Sequence, residues 1–218
     1  MTNINNPDYD LKEFENIIEN YKKDEFAYLN QYYTKYYLLG TNEKITEDFY
    51  IYQAPNKLCV IGLAPTHPLL QPQPQQQNQL PKIKKIEYNA KAVDTINKKK
   101  QNLLSITSNI CTITTIITEQ EEKRYQIKAG VIGWLVDINM RFNNNSNNNN
   151  NNNNNNDNNN NNNNNEFDLL QNKPFTEGYI AIIKPKHDNP SIALGHCISE
   201  EQYNEYIIKL SGENTTLK

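Results

Sequence analysis

Residues 143–165 are asparagine at every position except Ser146 and Asp157, and this tract cuts a β-prone stretch of chain in two. Before it stands Gly133-Trp134-Leu135-Val136-Asp137-Ile138-Asn139; after it stands Lys173-Pro174-Phe175-Thr176-Glu177-Gly178-Tyr179-Ile180-Ala181-Ile182-Ile183. Side-chain amides have no apolar surface to bury, so the tract adds nothing to a core and both flanks must fold without it. Lengthening a loop costs only about 0.6 kcal/mol per doubling, so an insertion need not keep its flanks apart. With the tract removed they form one unit: a strand ending in Asp-Ile-Asn, a polar turn carrying Pro174, and a strand opening on Glu-Gly-aromatic. Amide ladders can stack into fibres; here the tract is taken as a passive insertion in a surface loop.

A second low-complexity stretch, Gln71 to Gln79, repeats Pro and Gln with nothing to pack and is expected to extend another surface loop. Subtracting both leaves apolar residues enough for one modest domain. A net charge of −3 creates no global field that would recruit nucleic acid or membrane. Cys59, Cys111 and Cys197 are far apart and odd in number, which argues against a disulfide framework and for a reducing compartment. Cys59 and Cys111 lie in apolar runs and are expected to pack as buried, inert thiols. The first ten residues are polar and acidic, unlike a secretory or mitochondrial leader. No stretch reaches the roughly 18 apolar residues of a membrane span. The expectation is a soluble protein of the nucleus or cytoplasm.

Leu11, Phe14, Ile17, Ile18, Tyr21 and Phe26 recur near helical spacing, predicting an N-terminal amphipathic helix or helix pair over 1–30, with Asp8 or Asp10 placed to cap it. The cluster Tyr28, Tyr32, Tyr33, Tyr36 and Tyr37 is expected to form a lid on a β core. Phe49 to Gln53 and Leu58 to Leu63 flank the turn Ala54-Pro55-Asn56-Lys57 and predict a hairpin. Lys82 to Tyr88 alternates charged and apolar residues as a half-buried strand with one basic face. Ile106 to Thr118 is rich in β-branched residues and predicts a core strand or strand pair. Glu119 to Arg124 is expected at a charged hairpin tip, with Tyr125 to Val131 returning from it. Ser199-Glu200-Glu201-Gln202 fits a capping box opening a short C-terminal helix. The β domain is thus expected over 31–210, interrupted by loops 71–79 and 143–165, with a tail over 211–218.

Tyr32-Tyr33-Thr34-Lys35-Tyr36-Tyr37, then Leu58 to Leu70 with its Ala64-Pro65-Thr66-His67-Pro68-Leu69-Leu70 stretch, then Gly133 to Asn139 and Lys173 to Lys186, resemble the Abitram (Simiate) family of actin-binding transcription modulators. That family in turn resembles the H-protein of the glycine cleavage system. Gly133, Asn139, Glu177 and Gly178 stand at the matching Gly, Asn and Glu-Gly positions, with Pro174 in the turn between. The resemblance implies a mainly β fold of the barrel-sandwich hybrid type, H-protein-like and lipoyl-domain-like, with an N-terminal helix and a short C-terminal one. It also implies a noncatalytic module that binds actin and modulates filament assembly in nucleus and cytoplasm, without a cofactor.

Two other functions are weighed against this one. An H-protein carries lipoate on a lysine about ten residues before the glycine matched by Gly133, and Lys123 falls near that place. Its flanks, Glu121-Glu122-Lys123-Arg124, depart from the Glu-Ser-Val-Lys-Ala type of sequence that lipoylation favours. Nucleic-acid binding would rest on Lys82, Lys84, Lys85, Lys91 and Lys98, Lys99 and Lys100, with Tyr88 as a stacking platform; a solvated basic face is the commoner outcome in an acidic chain. The same lysines, Lys82, Lys84, Lys85, Lys98, Lys99 and Lys100, are the candidate contacts for an acidic actin surface. No nucleophile elbow, phosphate-cradling loop or zinc-protease motif is present. His67, His187 and His196 are scattered, and His67, between Thr66 and Pro68, suits a structural hydrogen bond in a turn.

Overall fold

Burial follows the alternation of the sequence. Across Lys82–Tyr88 the apolar Ile83, Ile86 and Tyr88 are buried while Lys82, Lys84 and Glu87 are exposed, the pattern of a strand with one covered face whose alternation slips by one residue at a bulge between Ile83 and Lys85. The computed structural model describes residues 26–40, 47–73, 78–98, 101–118, 121–142 and 167–213, with helical positions 15, 18, 19, 22 and 23. Residues 1–34 and 35–218 form two units. In the first, Glu15, Ile18, Glu19, Lys22 and Lys23 are helical and α1 spans Ala27–Tyr32; the rest of the expected N-terminal helix and the asparagine tract lie outside the described residues.

The second unit is mainly β. A seven-stranded sheet runs in the order β10-β1-β2-β3-β9-β8-β5, from β1 (Thr34–Leu38), β2 (Phe49–Gln53), β3 (Cys59–Leu63), β5 (Leu103–Leu104), β8 (Gly133–Ile138), β9 (Ala181–Pro185) and β10 (Ile198–Ser199). A three-stranded sheet runs β4-β6-β7, from β4 (Lys82–Tyr88), β6 (Asn109–Thr118) and β7 (Glu121–Lys128). Both sheets are open among the described residues. Helix α2 (Ala90–Lys98) follows β4; α3 (Asp168–Asn172), α4 (Pro190–Ala193) and α5 (Glu200–Glu213) follow the tract. One core joins the sheets, with Ile61 and Ile183 of the larger sheet and Ile86, Ile113 and Ile127 of the smaller all buried in it.

Both expected hairpins are present. β2 and β3 pair from Phe49↔Leu63 to Gln53↔Cys59, with Lys57 taking the positive φ of 69° that the tight turn demands. The capping box is made: Ser199 N–H donates to Gln202 Oε1 at 3.0 Å and Gln202 N–H donates to Ser199 Oγ at 3.3 Å. The glutamine excursion is closed at its base, where Gln73 N–H donates to Gln79 O at 2.9 Å.

Four expectations are corrected. Glu121 to Arg124 belong to β7 rather than to a hairpin tip, because pairing continues out to Thr118↔Glu121 and the solvent side of an edge strand accepts charge. Tyr36 and Tyr37 are in β1, paired with Ser199 and Ile198, and form part of the sheet rather than a lid on it. Ile106 to Ser108 precede β6, which begins at Asn109. The C-terminal helix runs 14 residues to Glu213 rather than stopping short. Helix α2 was not foreseen, although Asn89 Oδ1 accepts from Lys91 N–H at 3.0 Å, the mark of an N-cap.

Candidate functional site

The two halves of the divided motif meet. Asn139 follows β8 and is buried. Its backbone N–H donates to Ile180 O at 3.0 Å, and its Nδ2 donates to Glu177 O at 2.8 Å and Tyr179 O at 2.9 Å. A primary amide has the two N–H bonds needed to satisfy two carbonyls together, which explains asparagine here. The Tyr88 hydroxyl, from the smaller sheet, lies 3.1 Å from both Asn139 O and Ile180 O. Gly178 N–H donates to Lys173 O at 2.8 Å. A Cβ at Gly178 would fall 2.5 Å from Leu169 O, so no side chain fits. Pro174 O accepts from the Tyr50 hydroxyl at 2.8 Å. Gly133 stands at the far end of β8, where a Cβ would lie 2.3 Å from Lys184 O. Asn139, Pro174, Glu177 and Gly178 therefore close the insertion, and Gly133 lets β8 and β9 approach.

The Glu177 carboxylate meets Lys173 Nζ at 2.5 Å and Arg141 Nη1 at 3.1 Å. The hydrogen bond and charge of Lys173, then Arg141, hold its carboxyl below the usual range. These groups are exposed, so the cluster is an ion-pair clasp across the insertion rather than an acid and base pair poised for proton transfer.

The Ala64 to Leu70 stretch forms a buried turn. His67 N–H donates to Ala64 O at 2.9 Å, and His67 Nδ1 accepts from Leu69 N–H at 3.2 Å, capping the single 3₁₀ turn Pro68–Leu70. A ring nitrogen that accepts carries no proton, so the neutral ring is protonated at Nε2, which is buried and has no hydrogen-bond partner among the described residues. The ring packs between Phe49 and Tyr125, at centroid distances of 5.7 and 5.6 Å. Burial, then the charge of Lys123, drives the His67 pKa down to about 3. His67 is thus a neutral core residue, as its turn context suggests.

Asp48, Thr66 and Tyr203 form a buried polar chain that sequence reasoning missed. Asp48 accepts from Gly40 N–H at 2.7 Å and from the Thr66 hydroxyl at 2.6 Å. The Tyr203 hydroxyl lies 2.6 Å from the Thr66 hydroxyl and is also hydrogen-bonded to Asp48. Burial raises the Asp48 pKa, against the lowering effect of these donors. Thr66 within the Ala-Pro-Thr-His turn was the one local signal; Asp48 is polar at the mouth of a strand, which is common. On the same side of the large sheet, Tyr37 stacks on Tyr203 at 3.9 Å and Tyr52 packs on Tyr50 at 4.2 Å. The Tyr50 ring lies over Gly62, where a Cβ would come within 2.3 Å of it.

Three of the candidate lysines are held in ion pairs. Lys84 is bonded to Glu122, Lys85 to Glu87 at 2.9 Å, and Lys98 to Asp94 at 2.9 Å on α2. Lys82 is exposed at the start of β4, and Lys99 and Lys100 lie outside the described residues. Lys123 is inside β7, opposite Thr115, with Nζ 4.7 Å from the Tyr125 ring; it does not occupy a turn from which a lipoyl arm would swing. Two open hollows flank this sheet, one of about 440 Å³ bordered by Lys85, Glu87, Thr112 and Arg124, the other of about 240 Å³ bordered by Lys91, Leu103 and Ile110. Burial pushes the Cys59 and Cys197 thiols up to about 12 and raises that of Cys111 as well, so all three resist forming thiolates. Among the described residues no three His, Cys, Asp or Glu are grouped to hold a metal, and no helix is long and apolar enough to cross a membrane.

The chain is similar to curated proteins over most of its length. It is 28% identical over 189 residues to Protein Abitram of Danio rerio, covering 83% of this chain and 89% of that one. Protein Abitram of Dictyostelium discoideum is 28% identical over 182 residues, covering 81% and 86%. That of Homo sapiens is 26% identical over 189 residues, covering 83% and 87%. No protein-family model matches the chain.

Proposed function

Since the chain belongs to the Abitram family, we propose that it is a noncatalytic interaction domain that binds actin and modulates filament assembly in nucleus and cytoplasm. The observation that carries the reading is similarity across more than four-fifths of the chain, spanning both sides of the asparagine tract. It is supported by the roles of the most distinctive motif residues: Asn139, Gly178 and His67 are spent on internal hydrogen bonds and close packing, which suits a scaffold whose partner contacts lie on its surface. Co-sedimentation with actin filaments and retention on immobilised monomeric actin test the reading. Pelleting that saturates with filament concentration is expected; neither pelleting nor retention at low salt would sink it.

We also read the two sheets as an H-protein-like barrel-sandwich hybrid, on the strength of Gly133, Asn139, Glu177 and Gly178. Superposition on an H-protein with those four residues aligned is the check, and a different strand order around them would reject the assignment.

A further inference from the structure

Strand alternation gives the larger sheet two faces. Ile51, Ile61, Ile183 and Leu135 point into the core, and the residues between them point the other way. On that outer face the register places Tyr52 opposite Val60, Val60 opposite Ile182, Lys184 opposite Trp134, and Trp134 opposite Leu103. The Tyr50 and Tyr52 end of this row is covered by the rings of Tyr37 and Phe175. Among the described residues the other end is left partly open: Val60, Ile182 and Trp134 are half-buried, Leu103 is 52% exposed, and Val136, the extra residue of a bulge in β8, is 47% exposed. Apolar residues gathered on one exposed face mark an interaction surface more often than scattered ones do.

Charge identifies the occupant. Lys184 lies within the row and Lys186 just beyond it, and the Cys59↔Ile183 register carries Lys57 toward the same end of β9. All three lysines are exposed or border the open face, and among the described residues none is in an ion pair. Of the two carboxylates near them in sequence or register, Asp137 accepts from the Tyr179 hydroxyl at 3.3 Å and Asp188 lies beyond Lys186, past the end of β9, so the lysines outnumber the acids. The covered end shows what such a face accepts: α5 begins with Glu200 and Glu201, pairs Glu200 with Lys35 at 2.7 Å, and stacks Tyr203 on Tyr37. We propose that the open half, centred on Trp134, docks an acidic amphipathic helix of a partner protein, its apolar stripe on Trp134, Leu103 and Val136 and its carboxylates on Lys57, Lys184 and Lys186. The inference rests on the protein-binding reading above and supplies its surface. Lys184 apart, the neighbours of Trp134 on this face, Leu103 and Val136, are aliphatic, which suits a helix stripe better than a ladder of stacked bases.

Trp134 is the single tryptophan of the chain, so its emission reports on this face alone. The probe is a designed peptide with leucine at i, i+3, i+4 and i+7 and glutamate elsewhere, titrated into the full chain beside a lysine version with the same leucines. A saturable blue shift with the glutamate peptide is expected, weakened about tenfold in Lys57→Glu/Lys184→Glu and in Val136→Asp. Those positions are on the surface, and a thermal melt of each variant checks that it is folded. An unchanged emission, an equal response to both peptides, or a response only to single-stranded oligo-dT would overturn the proposal. Actin co-sedimentation of the same variants separates the two claims. Pelleting that Val136→Asp and Lys57→Glu/Lys184→Glu leave intact would reject this surface and keep actin as partner; a peptide response without pelleting would keep the surface and reject actin.

Discussion

The closure around Asn139 and Gly178 and the outer face of the three-stranded sheet are both polar, yet they are built on opposite terms. At the closure, backbone and side chains approach so closely that a methyl group at Gly178 would collide with Leu169 O, and one amide satisfies two carbonyls. On the three-stranded sheet Lys84 and Lys85 each meet a neighbouring carboxylate in open solvent, where any partner of opposite charge would serve. The difference teaches that the residues carrying the family resemblance are those the fold cannot replace, whereas Lys84 and Lys85 are neutralised locally by single carboxylates. Substitution should therefore separate the two regions by an order of magnitude in free energy.

The steepest loss is expected at Gly133. A Cβ there would sit 2.3 Å from Lys184 O and 2.9 Å from Ile183 Cγ2, and the first of these is backbone that cannot rotate away. Gly133→Ala should lower stability by about 3–4 kcal/mol, read as an earlier urea midpoint with unchanged slope. An unshifted midpoint would mean that β8 and β9 part freely at this end, and the close approach argued for Gly133 would fall.

Next comes pH, through His67. The unfolded chain binds a proton at this ring below its ordinary pKa of 6.5, while the folded chain does not until about 3. Stability is therefore untouched above pH 6.5 and falls progressively as pH drops from 6.5 toward 3, by about 3 kcal/mol at pH 4. Asp48 acts with the opposite sign. Its folded pKa is raised, so its contribution is present at low pH and is lost as pH rises through that value. Urea titrations at pH 7 and pH 4 in Asp48→Asn, with and without His67→Gln, isolate the histidine. Equal pH slopes in both would refute a neutral buried ring.

Asn139→Leu should cost about 2 kcal/mol, because Glu177 O and Tyr179 O would lose their donor while remaining in the closure. Asn139→Asp, which accepts but does not donate when ionised, should do no better at neutral pH. A stable Asn139→Leu protein would show that solvent reaches these carbonyls, and the contrast with the lysine face would narrow.

Much of this architecture is legible in the sequence where one residue has one physical reason to be there. The Phe49 to Leu63 hairpin follows from a turn between β-prone runs, and Ser199 with Gln202 follows from reciprocal hydrogen-bond chemistry. The Asn139 and Glu177-Gly178 pairing was visible because a loop can be lengthened cheaply without moving its ends. What escaped depends on tertiary neighbours. Lys123 looks like a hairpin tip until its pairing with Thr115 is known, and Asp48 looks exposed until Gly40 and Thr66 close over it. The lysine stretch looks basic because its counter-charge Glu122 comes from another strand. The Trp134 face was invisible because its members come from β3, β5, β8 and β9.

A gain rather than a loss is expected from the tract itself. Deleting residues 147–165 halves the loop that Asn139 and Gly178 close, and should raise stability by about 0.6 kcal/mol. A large loss in a thermal melt would show that the tract packs on the domain and is not passive.

The smallest effect belongs to Lys98. It pairs with Asp94 one turn earlier on α2, with both side chains more than half exposed, in the order that complements the helix dipole. Lys98→Ala should cost roughly 0.3–0.5 kcal/mol in dilute buffer, and that cost should shrink as salt screens the pair. If Lys98→Ala instead destabilised the fold as much as Asn139→Leu does, α2 would be held in place by this charge. The lysine region would then belong with the closure as structural framework, and the two-region contrast would break.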